Sequence, residues 1–136
     1  MHKAGLIRHR LQILLLLITL HSVLVGLGLI ILPPQWMHFF GYDGYDGRFF
    51  QMQGGVFHVV IGLVYLLAGL NPDRFRNFTI FAIFAKGSAT FFLITYYFFL
   101  EPVWLVLISG LSDGLMCGAL FYLLKLYSSA LTTLPK

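Results

Sequence analysis

Four ionisable side chains, His21, His58, Lys86 and Asp113, stand at matching depths in four apolar stretches of this 136-residue chain. The stretches run over 11–32, 49–70, 77–99 and 103–124, and each group lies nine or ten residues from the start of its own. At the 1.5 Å rise of an α-helix that is about 13–15 Å, the middle of a ~30 Å hydrocarbon layer. A lone Lys or Asp there costs about 2.5–3.5 kcal/mol on insertion scales, so the least costly arrangement pairs Lys86 with Asp113. His58, Tyr65, Thr90 and Ser112 can satisfy the remaining donors and acceptors. Two readings of the pair stay open. It is a clasp that fixes the register of two helices, or, with His58 and Tyr65, it forms a ligand-binding or proton-relay site. His21 and His58 at one depth also permit bis-imidazole ligation of a haem, although a hydrogen-bonded core histidine is the commoner outcome.

The elements that must carry these groups are helices, and the spacing of small and polar residues shows which face of each turns inward. On 49–70, Gln51, Gly55, His58, Gly62, Tyr65 and Gly69 fall on one side, opposite Val, Ile, Leu and Phe. On 77–99 the equivalent face holds Thr79, Ala82, Lys86, Ala89, Thr90 and Tyr97. On 103–124, Gly110, Gly114 and Gly118 form a ladder at intervals of four beside Asp113 and Cys117. Gly55, Gly62, Gly69, Gly110, Gly114 and Gly118 are therefore the expected helix-packing positions, because glycine lets backbones approach closely.

Composition excludes the soluble alternatives. With 59% hydrophobic and 10% charged residues, the chain lies far from the soluble average of roughly a quarter charged. The longest connection, 33–48, is too short for a catalytic domain, and there is no Walker loop, Gly-x-Gly-x-x-Gly, His-Glu-x-x-His or Cys-x-x-Cys, so the balance leans away from an enzyme. Cys117 is the single cysteine and reads as a small buried residue. The repeat over residues 41–47, with Asp43 and Asp46, lacks the spacing of a calcium loop and reads as a glycine-rich turn. Net charge of +4 does not imply nucleic acid here, since the basic residues sit at helix ends. Lys3, Arg8, Arg10, Arg74, Arg76, Lys125 and Lys136 fall on one side and Arg48 alone on the other, with Trp36 and Trp104 on the Arg48 side. Lys3, Arg8 and Arg10 before an apolar run that ends at Pro33-Pro34, with no small-residue cleavage site, fit a retained signal anchor. The expected fold is all-α: one domain, an antiparallel bundle of four transmembrane helices in the cell inner membrane, both termini cytoplasmic.

From the second stretch onward, Gly62-x-x-Tyr65, the Asn71-Pro72-Asp73-Arg74 turn, Lys86 and Asp113 resemble the BphX-like and DoxX-like small four-helix bacterial membrane proteins, over about residues 50–125. The resemblance implies an integral membrane protein. Some DoxX-named members are subunits of quinone-linked sulfur oxidation, which would make a quinone the ligand of the midplane cluster, although no individual residue here maps onto a known quinone or thiosulfate site. The leading functional expectation is an accessory subunit without a cofactor, assembling with other membrane subunits or with itself through its glycine faces. The alternatives are a redox component holding a quinone or another small ligand at His58, Tyr65, Lys86 and Asp113, and a subunit of an ion or proton transporter.

Overall fold

The computed structural model describes residues 2–42 and 47–132. They form five helices: α1 (His2–Ile31), α2 (Gln35–Phe39), α3 (Arg48–Leu70), α4 (Arg76–Phe99) and α5 (Trp104–Thr132). All but α2 are long and apolar enough to cross a membrane. Asp43 and Asp46 of the glycine-rich repeat lie outside the described residues.

The helices outrun the apolar stretches. α1 begins well before residue 11 and α5 continues past Lys125, because Arg8, Arg10 and Lys125 are good helix formers whose long stems reach past apolar surface to water. Hydropathy reports only the part in hydrocarbon. α1 ends where Pro33 and Pro34 cannot extend it, and Pro34, at φ −54°, starts the single turn of α2. The chain then reverses at Gly41, whose φ of +93° suits glycine alone, and a Cβ there would stand 3.1 Å from the Trp104 ring. Between α3 and α4, Asn71 Oδ1 accepts from the Arg74 amide at 3.3 Å.

Packing follows from the inward stripes. α1 packs on α3 and α5, α4 on α5, and α3 on α4. Along α1, Ile7, Leu11, Leu15 and Ile18 meet Tyr65, Ala68, Ala82, Leu120 and Tyr127 in one core. α1 and α3 touch backbone to backbone: a Cβ on Gly26 would lie 2.7 Å from the Gly55 carbonyl oxygen, and one on Gly55 2.6 Å from that of Gly26. Gly62 faces Val23, Gly69 faces Leu15 and Leu16, Gly110 faces Leu93 and Ile94, and Gly114 faces Thr90. Gly118 meets nothing within 4 Å, so the α5 ladder has two packed rungs within the chain, and the third looks outward.

The outside is as apolar as the inside. Phe84, Phe91 and Leu115 are each more than 70% exposed. Leaving such a side chain in water forgoes about 1.5–3 kcal/mol. Repeated over the many others like them, that deficit exceeds the ~5–15 kcal/mol by which folded chains are stable. Surrounding lipid removes it, and the architecture is that of a multi-pass membrane protein.

Polar networks mark one end of the bundle. Arg8 donates to Asp73 at 2.7 Å, the Tyr127 hydroxyl donates to the other Asp73 oxygen at 2.5 Å, and Arg76 donates to Ser128 at 2.8 Å. At the other end Trp36, Phe39, Phe40 and Trp104 form a chain of ring contacts with centroids 5.5–6.2 Å apart.

Candidate functional site

The inward stripe of α3 turns His58 and Tyr65 to the same side of the interior, two turns apart. Tyr65 is 2% exposed and His58 half-buried. From α4 comes Lys86, from α5 Asp113, and the two form an ion pair, Nζ to Oδ1 2.5 Å, with residue exposures of 3% and 6%. All four nominated residues line a single cavity of about 200 Å³, together with Ser22 of α1. Each of the four long helices thus contributes a polar group to the same space. The cavity is bordered by Phe57 and Ile61 of α3 and by Ala85 and Ala89 of α4. Phe57 is 62% exposed, so this side of the cavity adjoins the lipid-facing surface.

The hydrogen bonds are unevenly met. Lys86 and Asp113 hold each other, while Ser22 Oγ and His58 Nδ1, both buried, have no protein partner. A buried donor or acceptor left unmade costs about 1–3 kcal/mol, and a small polar molecule in the cavity would offset it. A volume of this size holds a few waters, at about 30 Å³ each, or one ring-sized head group. Thr90 plays a different part from the one expected of it: its hydroxyl donates to the Lys86 backbone carbonyl at 2.8 Å, a local helix contact. Cys117 donates to the Ile83 carbonyl at 3.4 Å, tying α5 to α4.

His21 does not line the cavity, although its Nδ1 is also buried without a partner. A haem between His21 and His58 does not fit, because α1 and α3 are in backbone contact at Gly26 and Gly55 and leave no room for a macrocycle. No group of three or more His, Cys, Asp or Glu side chains suited to a metal occurs among the described residues.

Ser22 is the site residue that sequence reading passed over. It continues the buried stripe of Leu11, Leu15 and Ile18 at helical spacing, but α1 is apolar all round and offers little contrast to orient it. Comparison of the chain with protein-family models, curated proteins and solved structures gave no match.

Proposed function

We propose that this chain is a bacterial inner-membrane protein, akin to the BphX-like and DoxX-like proteins, that holds a small membrane-borne ligand with an oxygen-bearing head group, of which a quinone is the type, at its midplane cavity. The observation that carries the reading is the convergence of Ser22, His58, Tyr65, Lys86 and Asp113, from four helices, on one space that retains unpartnered polar atoms. An ion pair beside a cavity can offer a donor through Lys86 and an acceptor through Asp113 to one head group. Entry is lateral, past Phe57, between α3 and α4. An antiparallel bundle is supported at α1 and α3, where Gly26 meets Gly55 while Gly69 meets Leu15, so that the contacts run in opposite order along the two helices.

The accessory or self-associating reading draws less support. Its positive argument was the glycine faces, and of the six expected positions Gly55, Gly62, Gly69, Gly110 and Gly114 are occupied by neighbours within the chain, which leaves Gly118 to face outward.

Replacing both charges by apolar residues separates site from clasp. A buried pair exchanged for apolar residues is often neutral in stability, whereas loss of one partner costs about 3–5 kcal/mol. In lipid nanodiscs, the Lys86→Met, Asp113→Leu double variant should unfold near the wild-type temperature and lose saturable binding of a short-chain quinone. The Asp113→Asn variant should be the least stable of the three. Quinone binding that survives unchanged in the stable double variant would sink the proposal.

A further inference from the structure

A larger cavity, about 610 Å³, occupies the end of the bundle that carries α2. Val25, Gly54, Phe92 and Ser109 line it, and each stands three or four residues from a residue that lines the midplane cavity, Ser22, Phe57, Ala89 and Asp113 respectively. The two spaces are therefore about one helical turn, ~5 Å, apart.

Its walls show how the space is kept. Gly28 and Gly54 face it from α1 and α3, and a Cβ on either would meet only one leucine methyl, at 3.9 and 4.0 Å. Neither has a left-handed backbone, and neither brings two helices together. Glycine weakens a helix relative to alanine, so what these two positions supply is room. Gln51, 4% exposed, also lines the cavity. Its Nε2 donates to the Leu32 carbonyl at 3.0 Å, and a carbonyl can only accept, which fixes the amide and leaves Oε1 buried with no donor. Trp36, Phe40, Phe50 and Phe92 set aromatic rings into a wall that is otherwise mostly aliphatic.

We propose that this outer cavity is a second binding site, for an apolar ring-bearing molecule with one hydroxyl or N–H donor. The donor meets Gln51 Oε1, the rings lie among the aromatic side chains, and Gly28 and Gly54 keep the volume free. An apolar chamber with one oriented polar group is the common form of a small-molecule site. The proposal does not depend on the midplane pair.

Trp36 is a reporter within the wall, and Trp104→Phe leaves it the sole tryptophan. In nanodiscs, 4-bromophenol should quench Trp36 saturably, and 4-bromotoluene, with a methyl of similar size in place of the hydroxyl donor, should bind about fivefold or more weakly, as one hydrogen bond implies. Gln51→Met should abolish that preference. Gly54→Leu should remove saturable quenching without lowering thermal stability, and Gly28→Leu, from the opposite wall, carries the same expectation should Gly54→Leu fail to fold. The Lys86→Met, Asp113→Leu variant should bind 4-bromophenol as wild type does, which separates this site from the midplane one. Fluorine NMR of 4-fluorophenol with the wild-type chain repeats the comparison without altering Trp104. Quenching that is linear, equal for both probes and untouched by Gly54→Leu would mean partition into lipid only and would overturn the proposal.

Discussion

Gly54 and Gly55 are adjacent in sequence and answer to different neighbours. A methyl on Gly55 would stand 2.6 Å from the Gly26 carbonyl oxygen and 2.7 Å from the Ile30 side chain, while one on Gly54 would touch only the tip of Leu29 at 4.0 Å. Gly55→Ala must push two helix backbones apart, an overpacking cost of about 1–3 kcal/mol. Gly54→Ala removes backbone freedom from the unfolded chain and should be neutral or stabilising by up to about 1 kcal/mol. Thermal unfolding of the two variants in the same detergent should rank them in that order, and equal losses would show that α1 and α3 are not held by the Gly26 and Gly55 contact. The inward glycines of α3 are legible as a stripe because helical spacing is regular. Which glycine packs and which leaves space depends on the opposing helix, and so Gly28, Gly54 and the outward Gly118 could not be sorted from spacing alone.

At the scale of elements, the α3–α4 turn is fastened to α1 and α5 through Asp73. The Tyr127 hydrogen bond holds the Asp73 carboxyl below the usual carboxylate range; burial opposes it, and the Arg8 guanidinium adds to the lowering. A carboxyl whose folded value is depressed contributes its stabilisation in full above the ordinary pKa of about 3.9 and loses it as pH falls through the folded value. Asp73 and Arg8 are substantially exposed, with side-chain exposures of 49% and 36%, so the contribution is at most about 1 kcal/mol. Wild-type thermal stability should thus begin to fall below about pH 4, and Asp73→Asn should be less stable at neutral pH and lack that part of the decline. Parallel curves for the two proteins would remove this clasp from the account. Sequence alone gave Asp73 a turn position and no partners, because Arg8 is 65 residues away and Tyr127 is 54. The midplane groups were easier to place: a fixed rise per residue puts His58, Lys86 and Asp113 at one level before any contact is known. The one-turn α2 was not foreseen, since five residues carry no usable periodicity.

Across the whole molecule, charge and aromatic residues divide the two ends, and that division orients both cavities. Arg8, Arg74, Arg76 and Lys125 cluster with Asp73 and Tyr127 at the end where α1 begins and α5 finishes, whereas Trp36, Phe40 and Trp104 gather at the other with Arg48. Seven basic residues against one, outside the midplane Lys86, favour retention of the first end in the cytoplasm. In that orientation the outer cavity, under α2, would lie toward the extracytoplasmic face and the midplane cavity one turn deeper, and a polar-tipped molecule arriving from outside would reach Gln51 first. Single-cysteine labelling tests this in a Cys117→Ser background: Gln35→Cys, on α2, should react with a membrane-impermeant maleimide in intact cells, and Ser129→Cys, near the end of α5, only after permeabilisation. Labelling of Ser129→Cys in intact cells, with Gln35→Cys protected, would invert the bundle. The outer cavity would then face the cytoplasm, and its ligand would have to be sought there.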